Sequence, residues 1–247
     1  MSDYNEDSIR SLQWNVHLRE RPGMYIGKLG DGSEPDDGIY VLLKEVIDNS
    51  IDEFMRGYGR NIEVTIKDSQ VSVRDYGRGM PLGKVIDCVA RINTGGKFDD
   101  QAYDTAIGMN GVGVKAVNAL STMFFVSSVV NGKKKSARFS AGEIVEDFPI
   151  CETDEHNGTF ISFLPDDKLF ENFHWYGEHV ERLLWNYAYL NRGLTINFNG
   201  KKFVSKNGLL DLLHNNVSGE MLYEPIHLKD NDFEFALDLF NTWGIGK

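Results

Sequence analysis

Apolar residues recur along this chain with two periods, and the place where one gives way to the other organises it. Between the loop at 30–38 and the glycines Gly57 and Gly59 the period is helical, with Leu43, Val46, Ile47, Ile51 and Phe54 on one face. Glu45, Asp48, Asn49, Asp52 and Glu53 fall on the other, at i, i+3, i+4, i+7 and i+8. A solvated face would account for five polar residues. Two details point further: Asn49 is a mediocre helix former placed mid-helix, and it lies one turn after Glu45, where side chains touch. A carboxylate able to take a proton then stands beside a neutral oxygen ligand. A hard cation such as Mg²⁺ accepts that oxygen while keeping waters and substrate phosphates in its shell.

Ahead of that helix, a short helical pattern from Ser8 breaks at Arg21-Pro22-Gly23, and Met24-Tyr25-Ile26-Gly27 reads as a brief extended piece. After it the period becomes two. Ile62–Ile66 and Val71–Arg74 predict a hairpin around the turn Lys67–Gln70, and Asp75 to Pro81 is a glycine-rich turn leading to a helix over Leu82–Ile92. Asn93–Gly108 has little periodicity and runs into Gly108-Met109-Asn110-Gly111-Val112-Gly113, from which a helix over Val114–Leu120 starts. Strands over Met123–Val130, Lys135–Ser140 and Ile144–Ile150 form a meander through Asn131-Gly132 and Ala141-Gly142, with a fourth over Gly158–Leu164. Trp175–Leu190 predicts an amphipathic helix with Val180, Leu183, Leu184, Tyr187 and Leu190 inward. A hairpin over Thr195–Phe198 and Lys202–Val204, a short helix over Leu209–Leu213 and a strand over Phe233–Phe240 complete the reading. The expected class is α+β, a mixed, mainly antiparallel sheet with helices covering one face.

Composition narrows the function classes. With 41% hydrophobic residues among 247, including 15 Phe, a proper core is expected, so disorder is not the default. The net charge of −11 argues against broad nucleic-acid contact, which needs clustered Lys and Arg; Lys133–Lys135 is the one basic cluster and reads as a hairpin tip. Cys88 and Cys151 have no metal or redox spacing, the N-terminus has no apolar signal core, and no apolar run approaches a membrane span. Those features predict a soluble, cytoplasmic protein with reduced thiols. The six histidines make no zinc pattern.

Four pieces then line up in order: Glu45 with Asn49; Asp75-x-Gly77-x-Gly79; Gly108-x-x-Gly111-x-Gly113; and Gly158-Thr159 entering a strand. A carboxylate at a strand end followed by glycines lets a flat ligand approach the backbone, and Asp75 could accept from an exocyclic amine. The glycines ahead of a helix suit phosphate, though a hinge would use them equally. Thr159 could donate a hydroxyl, though Thr in a strand needs no special reason. P-loop and Rossmann signatures are absent, because Gly95-Gly96-Lys97 continues into Phe98 and the glycines of 108–113 run in the wrong order.

The ordered set resembles the GHKL (Bergerat-fold) ATPase superfamily, which includes gyrase-type topoisomerases, a heat-shock chaperone family, MutL mismatch-repair proteins and sensor histidine kinases. Arg21-Pro22-Gly23-Met24-Tyr25-Ile26-Gly27, Glu45 to Glu53, Thr94 to Phe98, and Asn110 to Val114 leading to Val117-Asn118-Ala119-Leu120-Ser121 narrow it to the B subunits of bacterial type IIA topoisomerases, over roughly residues 4–215.

The resemblance implies ATP and Mg²⁺ as ligands. Glu45 would be the general base, Asn49 the metal ligand, and Asp75 the reader of the adenine amine with Thr159. Glu53, Arg78, Gly79, Met80 and Pro81 would border the adenine pocket, where aminocoumarin inhibitors of the family bind. Lys97 and residues 99–113 would form a lid, including Gly108, Met109, Asn110, Gly111, Val112 and Gly113, with Val114 following. Tyr4 and Ile9 on the N-terminal arm would reach into a second copy, Tyr4 touching its nucleotide. The further partners implied are an A-type subunit, and DNA in the holoenzyme.

The chain departs from the family at Val41, where a His one turn before the base is usual, at Asn110 for a His, and at Val130 for an inhibitor-contacting Arg. A short Pro81–Val85 stretch tilts the resemblance toward topoisomerase IV over gyrase. The implied organisation is a dimerisation arm over 1–20, an ATP-binding domain over 21–222, and the start of a transducer domain or an unrelated tail over 223–247. The lysine that the family's second domain gives to the γ-phosphate would lie beyond this chain. The expected function is therefore an ATP-operated dimer clamp for DNA strand passage, slow in this fragment. Two alternatives stand beside it: a nucleotide-binding module with little turnover, and the chaperone or MutL branch.

Overall fold

The computed structural model describes residues 12–92, 94, 111–217, 223–230 and 234–237. Among them, one sheet holds nine strands: β1 (Asn61–Lys67), β2 (Gln70–Asp75), β3 (Ser121–Val130), β4 (Lys133–Ser140), β5 (Glu143–Asp147), β6 (Cys151–Glu152), β7 (Gly158–Pro165), β8 (Thr195–Phe198) and β9 (Lys201–Phe203). Their order is β5-β4-β3-β7-β2-β1-β8-β9, with β6 paired to β4. Every pairing is antiparallel except β1 with β8, so the sheet is mixed and mainly antiparallel, as the alternation implies.

Register explains why one face is apolar. Ala137, Val126, Ile161, Val73, Val64 and Phe198 stand opposite one another across six strands, and Phe139, Phe124, Phe163 and Val71 form the adjoining row. All ten are buried. A slip of one residue would turn such a row to water. Helices α3 (Gly38–Met55), α4 (Val85–Ala90), α5 (Gly113–Ala119) and α6 (Gly177–Leu190) pack on the sheet and share this core. Helix α1 (Trp14–Glu20) docks on α5: Leu18 is fully buried, and Arg19 donates to the Ala119 carbonyl and pairs with Asp166.

Several expectations need correction. Met24-Tyr25-Ile26 is a helical turn, α2 (Gly23–Ile26), because Pro22 already has helical φ and its carbonyl accepts from the N–H groups of Tyr25 and Ile26. The helix over Leu82–Ile92 divides into a 3-10 turn at Leu82–Lys84 and α4, separated by the non-helical backbone of Lys84. Strand β5 stops at Asp147, so Ile150 lies outside it, and the short strand β6 was not foreseen. Leu190 is 66% exposed, being the last residue of α6, where the chain turns away through Asn191. The short helix near 209 extends to Asn216 as α7 (Leu209–Asn216). The last strand, β11 (Glu234–Leu237), pairs with an unforeseen β10 (Ile226–Lys229) in a separate two-stranded sheet. Among the described residues no helix is long and apolar enough to cross a membrane.

Phe163 sits at the centre of the row shared by β2, β3 and β7. Phe163→Ala should cost about 3–5 kcal/mol of stability, measured by urea unfolding, because a cavity between three paired strands cannot collapse.

Candidate nucleotide site

Asp75 continues the inward parity of Val71 and Val73, so the strand that builds the core also delivers a carboxylate to its edge. The carboxylate is buried, and Oδ1 accepts both the Gly77 N–H (2.9 Å) and the Thr159 N–H (3.1 Å). Burial pushes the Asp75 carboxyl above the usual carboxylate range, and the two backbone donors, which favour its charged form, do not offset that. Thr159 has the same inward parity on β7 as Ile161, and the bond it makes to Asp75 comes from its backbone. Gly158 lets the two strands approach: its φ is +135°, and a Cβ there would fall 2.2 Å from the Asp75 carbonyl oxygen.

Beyond Asp75 the chain turns under the end of α3. Glu53 takes the Arg78 guanidinium in two bonds, from Nε (3.0 Å) and Nη2 (2.8 Å), and also the Arg78 backbone N–H (3.0 Å). Burial works to raise the Glu53 carboxyl, but Arg78 prevails and holds it below its ordinary range. The guanidinium lies over the Tyr58 ring, 4.5 Å from its centroid, so it is fixed from two sides. Ser128 donates to the Met80 carbonyl at 2.8 Å, tying the turn to β3; Met80 is partly buried against the core, while Pro81 is exposed.

One turn of α3 faces the start of α5. Glu45 reaches Gly113 so closely that a Cβ at that glycine would fall 1.7 Å from Glu45 Oε2. Gly111 has φ +59°, and Val112 and Val114 are partly buried against the core. Asn49 donates its Nδ2 to the Glu45 carbonyl (2.8 Å), which leaves Oδ1 on the other side of the amide from that donor. That orientation fits a hard cation bound through one amide oxygen and completed by phosphate oxygens and water. Among the described residues no group of three His, Cys, Asp or Glu could hold a metal by itself. Tyr4, Ile9, Lys97, Gly108, Met109 and Asn110 lie outside the described residues.

The polar stripe of α3 is not solvated. Asp48 and Asp52 are buried, and Glu45, Asn49 and Glu53 are half-buried. Asp48 accepts a short hydrogen bond from the Tyr187 hydroxyl on α6 and pairs with Lys44 at 2.7 Å. Val41, one turn before Glu45, is packed against the core. Two residues escaped the sequence reading. The amphipathic pattern places Tyr187 inward as an apolar residue, and only its hydroxyl hints at a buried acceptor. Lys115, buried to 3% exposure, donates to the carbonyls of Thr94 (2.6 Å) and Gly111 (2.5 Å); its signal is a lysine two positions after the last loop glycine, in a short helix whose one other polar residue is Asn118.

Comparison with known proteins follows the same outline. The family described as histidine kinase-, DNA gyrase B-, and HSP90-like ATPase matches residues 35–168. The B subunit of DNA topoisomerase 4 from Borreliella burgdorferi is 48% identical over 243 residues, 98% of this chain and 40% of that protein. The B subunit of DNA gyrase from Rickettsia conorii is 37% identical over 209 residues, 79% of this chain and 25% of that protein. The chain thus spans less than half the length of these relatives. The 43K ATPase domain of Thermus thermophilus gyrase B, solved in complex with an aminocoumarin, superposes with a TM-score of 0.71 at 27% identity, covering 90% of this chain and 61% of that one.

Tyr187→Phe removes one donor from buried Asp48 while keeping the ring. It should lower stability by about 1–3 kcal/mol in urea unfolding, with the far-UV spectrum unchanged.

Proposed function

The chain belongs to the histidine kinase-, DNA gyrase B- and HSP90-like ATPase family, and from that premise we propose that it binds and hydrolyses ATP in the cleft bordered by α3, α5 and the end of β2. The observation that carries this reading is Asp75. One oxygen is committed to two backbone donors, and its carboxylate is held rigidly at the head of a glycine turn. Adenine offers an exocyclic amine there, and guanine carries a carbonyl at the same ring position, so a fixed acceptor favours adenine. Arg78, fixed by Glu53 and Tyr58, borders the same pocket with Gly79, Met80, Pro81 and Thr159.

At the other end, Glu45 faces the glycines that would lie against the phosphates. It takes the proton of the attacking water, which puts the general base within a side chain's length of the Gly111–Gly113 backbone. Asn49 would hold Mg²⁺, which when bound offsets charge on the phosphate oxygens. Glu45 Oε2 already crowds Gly113, so that position tolerates no side chain. Lys97, Gly108, Met109 and Asn110 would belong to a lid, and Tyr4 would come from a second copy.

We take the whole protein to be the B-type component of a type IIA topoisomerase, of the topoisomerase IV branch. In it ATP closes a dimer clamp in the cytoplasm, an A-type subunit works alongside, and DNA is met by the assembly. The similarity to the B. burgdorferi protein across nearly the whole chain supports that branch. Aminocoumarins are proposed as ligands of the same pocket, by analogy with the T. thermophilus complex.

Calorimetric titration with non-hydrolysable ATP and GTP analogues should give binding that prefers adenine and is lost in Asp75→Ala; equal binding of both nucleotides would sink the reading. Because burial raises the Asp75 carboxyl, the acceptor should be lost as pH falls through a value above its ordinary 3.8, and ATP-analogue affinity should drop there. In Asp75→Asn that acid-side drop should disappear. Glu45→Gln should keep analogue binding within about twofold and lower hydrolysis about 100-fold or more, as loss of a general base does; hydrolysis at the parent rate would remove Glu45 from that role.

A further inference from the structure

Lys115 places an ammonium, buried, beside the backbone on which the phosphates are proposed to lie. It is the third residue of α5, and helical side chains lean toward the N-terminus of their helix. Its stem therefore runs back over the Gly111–Gly113 turn, and Nζ ends 2.5 Å from the Gly111 carbonyl oxygen and 2.6 Å from that of Thr94. Glu45 meets the same glycine pair through Gly113. An anionic and a cationic side chain thus converge on one three-residue stretch of backbone. The two carbonyls fix where the ammonium sits, and where water is excluded its attraction for a polyanion is weakly screened.

We propose that Lys115 is a nucleotide-binding residue that supplies, from within this domain, positive charge to the phosphate chain and so sets the preference for a nucleoside triphosphate over a di- or unphosphorylated nucleoside. The inference rests on the reading of this cleft as the nucleotide site. It makes the triphosphate preference a property of α5, present without a lysine from any other domain. It also ties phosphate binding to Thr94 and Gly111, because the group that attracts the phosphates is held by both carbonyls.

The test is calorimetric titration of this chain with three probes: a non-hydrolysable ATP analogue with Mg²⁺, ADP with Mg²⁺, and adenosine. Two variants remove the charge, Lys115→Met, and Lys115→Gln, whose amide can still donate to a carbonyl. In both, ATP-analogue affinity should fall about 10–100-fold, the range of a lost charge-assisted contact, with a smaller fall for ADP and adenosine within about twofold. Lys115→Arg, which keeps the charge, should retain most of the triphosphate preference. A parallel loss of all three probes in Lys115→Gln would overturn the proposal and leave Lys115 a structural tie, as would unchanged affinity for the ATP analogue. If the parent chain binds adenosine no better than guanosine, the nucleotide reading itself fails, and that result is independent of any Lys115 variant.

Discussion

A carboxylate buried at the end of an interior strand must be held by groups that cannot move away, and the arrangement around Asp75 meets that demand with backbone. Its donors are the N–H groups of Gly77 and Thr159, one following β2 and one on the neighbouring β7. Each strand is pinned by its register in the core, so the acceptor is as rigid as the sheet. The cost is visible in the same place: burial disfavours the charged form that a donor ligand needs. A site of this kind holds geometry well and tolerates acid poorly.

Helix α3 carries the other constraint. Its apolar stripe is buried in the core, yet its opposite stripe is also largely withdrawn from water, with Asp48 and Asp52 inside. A helix crowded on both sides cannot rotate, and Glu45 and Asn49 inherit that fixity. The bond from Tyr187 to Asp48 and the pair with Lys44 satisfy a buried carboxylate on the side where α6 passes. At its C-terminal end, Glu53 does the same for Arg78 and so joins the helix to the turn after Asp75. The helix thereby links the two ends of the proposed site, adenine at one and phosphate at the other.

Hydrophobic periodicity carried most of the architecture. The β1–β2 hairpin, the β3–β4 pair, α3 and α6 are all legible, because each is long enough for its burial pattern to repeat, whereas β5, exposed throughout, is marked by the Ala141-Gly142 turn ahead of it. Short elements are not legible. Helix α2 and strands β6 and β10 have two to four residues, too few for any period, and α2 depends on the backbone of Pro22. The helix period points Leu190 inward, yet it is exposed, because a period does not say where the neighbouring layer ends.

Residue chemistry in order along the chain is enough to bring Glu45, Asn49, Asp75, Arg78 and the glycines forward as one set, since Glu45 and Asn49 share one polar helix face and the others stand where a periodic segment breaks. The partners that complete them come from far away in the chain: Thr159 to Asp75 across 84 positions, Tyr187 to Asp48 across 139, and Lys115 to Thr94 across 21. By itself the sequence determined the longer strands, the principal helices and which side chains could do chemistry, because those follow from local spacing. Only the tertiary structure decided which of those side chains are buried, which carbonyl or hydroxyl each one meets, and that a lysine inside α5 lies against the glycine loop. Burial and long-range partners depend on how the layers pack, and no local pattern encodes that.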